Sequence, residues 1–87
     1  MGVVFAPPRK LYRIGEIVEY TVLSRQTVHN YTTMGLIREE KRTRGGHRLY
    51  GEDVFARLAR IEELKKTMTL AQIRELFARE DASRQAG

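Results

Sequence analysis

Apolar residues along this chain recur at helical spacing in four places, and one extended, glycine-tipped stretch lies between them. Ile14, Ile17 and Val18 fall at i, i+3 and i+4, one face of a short helix. Thr21 to Leu23 interrupts it. Ser24 then stands as an N-cap, its hydroxyl placed to accept from a free amide of the next turn. The helix it opens runs from Arg25 to Met34, and Gly35 sits where a left-handed C-cap would end it. Two short helices joined by about three residues make a helix-turn-helix. Leu36 and Ile37 follow, Arg38 to Arg42 is polar and extended, and Gly45-Gly46 offers a tight turn before His47 to Tyr50. These two runs predict a β-hairpin. Val54, Leu58, Ile61 and Leu64 mark a third helix, with charged residues mostly off that stripe. Thr69 and Gln72 match a T-x-x-Q capping box opening a fourth, whose buried face is Leu70, Ile73, Leu76 and Phe77. The pattern predicts a mostly α fold with a small β-hairpin, as in a winged helix-turn-helix. Three segments follow from it: a flexible basic arm over 1–10, the domain over 11–78, and a polar, fraying C-terminal tail over 79–87.

With 87 residues the chain is one small domain with a thin core and little room for a deep cavity. Cysteine is absent, which excludes disulfides, thiolate metal sites and a cysteine nucleophile. The two histidines, His29 and His47, lack partners at ligand spacing. Glu39-Glu40 and Glu52-Asp53 have no apolar pocket to separate two carboxyl pKa values, and no glycine-rich phosphate loop is present. Neither catalysis nor a metal or other cofactor is expected. No run is long and apolar enough for a membrane span or a signal segment.

Charge changes the picture more. The net charge of +5 lies wholly in residues 1–50, which hold nine bases and four acids, and residues 51–87 are balanced at seven of each. Lys41 to Arg48 alone carries +4 with no acid inside it. A basic stripe beside a neutral half is the footprint of a polyanion-binding surface. A helix fits the major groove of duplex DNA, about 12 Å wide, and presents side chains to base edges. Arg25, Gln26, Thr27, His29 and Asn30 can donate and accept there. A hairpin bearing Arg42, Arg44 and Arg48, with Lys41 and Arg13 near it, suits phosphates, which give affinity and register but little sequence information. This reading requires the polar side of the second helix to stay exposed and the hairpin to flank it.

Tyr12-Arg13-Ile14-Gly15-Glu16, Leu23-Ser24-Arg25-Gln26-Thr27-Val28, Tyr31, Met34-Gly35-Leu36-Ile37 and Arg42-Thr43-Arg44-Gly45-Gly46-His47-Arg48-Leu49-Tyr50 occur in that order. Over about residues 11–78 the chain resembles the winged-helix DNA-binding domain of MerR-type transcriptional regulators. The resemblance implies that the helix from Ser24 to Met34 reads the major groove. It further implies that Tyr31, Arg42 and Arg48 bind backbone phosphate, that Tyr50 packs the wing onto the helix that follows, and that Gly46 permits the wing's turn. Departures stand at His29, Asn30 and Thr32, where the family usually has Arg, an aromatic residue and Glu. Val22 replaces the usual Gly of the inter-helix turn. No heptad pattern follows the fourth helix to make a coiled coil, which leaves open a fragment of a longer regulator or a small stand-alone protein.

The function expected is that of a sequence-specific, double-stranded DNA-binding transcriptional regulator, bacterial, cytoplasmic and associated with the nucleoid. Self-association on DNA and RNA polymerase are further partners to consider, with no small-molecule ligand inside these residues. Two alternatives remain: an excisionase-like architectural DNA-binding protein, and a protein-interaction module using the same fold.

Overall fold

The computed structural model describes residues 10–86. In chain order these form β1 (Leu11–Arg13), α1 (Ile14–Tyr20), α2 (Arg25–Thr33), β2 (Lys41–Arg42), β3 (Arg48–Gly51), α3 (Asp53–Leu64) and α4 (Leu70–Ala86). The arm expected over 1–10 lies, apart from Lys10, outside the described residues.

Local chemistry sets the helix ends. Glu16 reaches back to accept from the Arg13 amide at 3.0 Å and starts α1. That backbone donor holds the Glu16 carboxyl below its ordinary pKa. Ser24 Oγ accepts from the Thr27 amide at 3.1 Å and caps α2. Losing that acceptor strands an amide of the first turn. Ser24→Ala is therefore expected to cost about 1 kcal/mol and to lower the melting temperature by roughly 4–8 °C in a thermal scan followed by circular dichroism. At the other end of α2, Leu36 N bonds Tyr31 O (2.9 Å) and Gly35 N bonds Thr32 O (3.0 Å), the paired bonds of a Schellman ending. Gly35 carries φ +81°, which only glycine adopts without strain. The Leu36 side chain that follows is fully buried. At Thr69 the capping box forms reciprocally, with Thr69 N to Gln72 Oε1 at 2.9 Å and Gln72 N to Thr69 Oγ1 at 3.1 Å.

The turn between α1 and α2 closes without a left-handed residue. Thr21 Oγ1 donates to Ile17 O (2.8 Å) and accepts from Leu23 N (3.2 Å), so its hydroxyl fixes the corner. Val22, standing where the family usually has Gly, points to solvent at 98% exposure. Among the described residues no non-glycine has positive φ.

The expected hairpin forms between β2 and β3, and β1 extends it to a three-stranded antiparallel sheet of order β1-β3-β2. Leu11 to Arg13 is too short to show strand alternation, and its partner lies far along the chain, with Tyr12 opposite Tyr50. Residues 79–86, within the segment expected as a polar, fraying tail, are helical, for α4 continues through Ala86. No Gly or Pro breaks 70–86, and α3 supplies partners for its polar residues. Arg60 forks onto Glu80, both bonds at 2.6 Å, and the guanidinium holds the Glu80 carboxyl below its ordinary pKa. Arg57 Nη2 lies 3.4 Å from Asp81 Oδ2.

A single core joins all four helices to the sheet: Ile17, Val28, Tyr31, Leu36, Ile37, Tyr50, Val54, Leu58, Ile61, Ile73 and Phe77 are buried. Burial of β3 through Tyr50 and of α2 through Val28 and Tyr31 fixes one against the other. That contact positions the site.

Candidate nucleic-acid interface

The buried residues of α2 are Val28 and Tyr31, and the side opposite them is polar and open. Arg25, His29 and Thr33 form one row at i, i+4, i+8, with Gln26 and Asn30 beside it, and all five are exposed. Gln26 Nε2 donates to Asn30 Oδ1 at 2.9 Å. The two amides thus hold each other and still offer the Gln26 oxygen and the Asn30 amine outward. Arg25 lies at the first turn of α2, its guanidinium close against Gly15 of α1.

The wing stands against the same side. Cross-strand partners share a face of a sheet and successive residues alternate. Arg42 lies opposite Arg48, and Tyr50 opposite Tyr12, so Arg42, Arg48 and Tyr50 share the face that meets α2. Arg48 Nη1 is 2.9 Å from His29 Nδ1, and the Tyr50 and Thr32 hydroxyls are 2.7 Å apart. These two rungs fasten β3 to α2. Tyr50, which the resemblance implied packs the wing onto the following helix, is buried in one cluster with Val54 and Leu58 of α3, and its hydroxyl also binds α2. At the tip, Thr43 O accepts from Gly46 N at 2.9 Å, and Gly46 takes φ +85°. Arg44 and His47 are exposed there.

Two directly opposed arginines repel each other, and Glu39 resolves the conflict. Its Oε1 accepts from Arg42 Nε at 2.9 Å, and its Oε2 faces Arg48 Nε at 3.1 Å. The second contact is an ion pair without an aligned hydrogen bond, for Oε2 is buried and has no hydrogen-bond partner.

Not every sequence candidate joins this surface. Lys41 and Arg13 both pair with Leu49, so they project from the reverse face of the sheet, away from Arg42 and Arg48. Thr27 is half-buried, and its hydroxyl is 2.9 Å from Ser24 Oγ within the cap. Tyr31, expected to bind phosphate, is a core residue at 2% exposure. Its hydroxyl donates to Glu62 Oε2 (2.8 Å) and accepts from Lys65 Nζ (3.1 Å). Burial raises the pKa of the Tyr31 phenol, and the bond to Tyr31 raises that of Lys65. Glu39, Thr32 and Lys65 hold the site together without having been marked for it by the residue pattern. The one available signal was an acid three residues before Arg42, in a run otherwise needing a counter-charge.

Among the described residues no group of three or more His, Asp or Glu could hold a metal ion, and no helix is long and apolar enough to cross a membrane.

Residues 12–80 match the family model described as MerR HTH family regulatory protein. The chain belongs to this family. Of the MerR-family relatives, the nodulation protein NolA of Bradyrhizobium diazoefficiens is 37% identical over 70 residues, covering 79% of this chain and 30% of NolA. The mercuric resistance operon regulatory protein of Bacillus cereus is 33% identical over 67 residues, covering 76% of this chain and 51% of that protein. This chain thus spans only 30% and 51% of the length of these two relatives. In structure it superposes on MtaN, the N-terminus of the Bacillus subtilis multidrug transporter activator, with a TM-score of 0.70. There the identity is 28%, with 76% of this chain and 63% of that one covered. The winged helix-turn-helix expected from the sequence is the MerR-family fold, and the family is one of regulators rather than enzymes.

Proposed function

We propose that this chain is the part of a transcriptional regulator that binds double-stranded DNA at specific sequences, acting at the nucleoid in the cytoplasm. One observation carries the reading: the polar face of α2 is exposed, and a cationic wing is bonded to its side through His29–Arg48 and Thr32–Tyr50. The names of the relatives, an operon regulator and a transporter activator among them, support it. Arg25, Gln26, His29 and Asn30 face the base edges, and Arg42, Arg44 and Arg48 lie along phosphates. Tyr31 and Thr27 serve the fold and the cap.

The test is selection of bound duplexes from a random library, followed by titration across salt concentrations. With about three to five phosphate contacts, log affinity falls against log salt with a slope of roughly −3 to −5 per protomer. Gln26→Ala is expected to relax preference at one or two base pairs, while Arg44→Ala weakens all duplexes alike. A complex indifferent to salt, or a library that returns no shared sequence, refutes the proposal.

A further inference from the structure

The bond between wing and helix constrains which hydrogen bonds the helix has to offer. Arg48 lies between two partners: its Nε faces Glu39 Oε2 at 3.1 Å and its Nη1 faces His29 Nδ1 at 2.9 Å. The Arg48 and Glu39 side chains are only 27% and 28% exposed, which limits the rotamers open to them. A guanidinium has donors and no acceptor. Nδ1 of His29 must therefore present its lone pair to Arg48, and the neutral ring carries its proton on Nε2. Glu39 holds the Nε of Arg48, which leaves the Nη1 donor of that guanidinium for the ring.

From this geometry we infer that Glu39 and Arg48 are positioning residues that lock His29 as a hydrogen-bond donor. What His29 meets on the duplex is then an acceptor. This deepens the DNA-binding reading above and rests on it. A free imidazole can present either nitrogen as donor or acceptor, and so discriminates poorly. Fixed as an Nε2–H donor, it donates to guanine N7 or O6, adenine N7, thymine O4 or a phosphate oxygen, and it disfavours the cytosine N4 amine. Thus a carboxylate outside the reading helix sets the polarity of one reading position.

Two measurements test it. The first uses the free protein: nitrogen-15 spectra of the His29 ring at neutral pH are expected to show Nε2 protonated and Nδ1 bare. In Arg48→Met, and more weakly in Glu39→Ala, the ring is expected to populate both tautomers. The second uses the selected duplex, removing one acceptor at a time: 7-deazapurine for N7, 2-aminopurine in place of guanine for O6, 4-thiothymine for O4, and methylphosphonate for a phosphate oxygen. One such site is expected to cost the parent roughly tenfold in affinity, the worth of about 1.4 kcal/mol, and to cost His29→Ala nothing. For Glu39→Ala the penalty shrinks to about threefold, even though removing an acid raises affinity for every duplex. A merely structural Glu39 would move neither the tautomer nor that single-site penalty. Which scan carries the site tells base from phosphate. The inference fails if the parent ring is protonated on Nδ1, if its tautomer ignores Arg48→Met, or if no single-acceptor penalty disappears in His29→Ala. Should the chain bind no duplex at all, the DNA reading falls, and the ring spectra alone decide whether the lock exists.

Discussion

Phe77→Ala is expected to lower the unfolding free energy by about 3–5 kcal/mol and the melting temperature by about 15–30 °C. Phe77 is 1% exposed and sits where α4 meets α3. Its ring carries the guanidiniums of Arg57 and Arg60, at 4.0 and 5.1 Å from the ring centroid. Truncation removes the apolar contact, leaves a cavity, and takes away the surface on which both arginines rest. The damage does not stay local. Arg57 Nε also donates to Leu36 O at 3.0 Å, so losing its seat loosens the segment that follows α2. Domains have only about 5–15 kcal/mol in hand, and one this small lies toward the lower end, so a large unfolded fraction is expected near 37 °C. Phe77→Leu keeps most of the volume and is expected to cost only about 1 kcal/mol. Thermal melts followed by circular dichroism compare the two. An alanine variant melting within about 3 °C of the parent would mean that packing of α4 on α3 does not hold the domain together.

Arg42→Ala/Arg44→Ala is expected to weaken binding to every duplex by about thirtyfold at 0.15 M salt and to flatten the salt slope by about two. Each lost phosphate contact removes one counterion's worth of release entropy. The magnitude is thus set by the number of cations, not by the sequence bound. Base preferences should survive unchanged, because Arg48 and its bond to His29 remain. The fold should survive as well, for the Arg42–Glu39 pair is a surface contact with the arginine 54% exposed, and such pairs contribute about 0–1 kcal/mol. Lys41→Ala is the matched control: Lys41 lies on the reverse face of the sheet, so its loss is expected to change affinity less than about twofold. Anisotropy titrations at several salt concentrations measure all three proteins. Equal losses from Lys41 and from Arg42 or Arg44 would mean that net charge, rather than the placement of the wing, drives binding.

Much of this architecture was legible locally. Ser24, Gly35 and the Thr69–Gln72 box mark helix ends by chemistry acting within three to five residues, and each end forms as the spacing predicts. Short-range rules suffice there because an amide left bare at a helix end finds its partner next door in the chain. The apolar stripe Val54, Leu58 and Ile61 likewise becomes the buried face of α3. Where partners are remote, the same reading fell short. The strand β1 exists because Tyr50 lies opposite Tyr12, a pairing that three residues cannot announce. The polar run after Ala78 looked like a tail until α3 presented Arg57 and Arg60 to Asp81 and Glu80.

The site divides in the same way. Its inventory of donors and cations was readable from residue types and charge placement. Position within it was not, since the burial of Tyr31 and the seat of its hydroxyl between Glu62 and Lys65 depend on residues far along the chain. By itself the sequence determined where helices start and stop, which stripes are apolar and where positive charge collects, all properties carried by neighbours in the chain. Tertiary structure alone decided which wing arginines share a face with α2, that Glu39 separates them, and that Arg48 meets His29. Those outcomes depend on strand register and helix packing, which the buried core fixes through contacts between residues far apart in the chain.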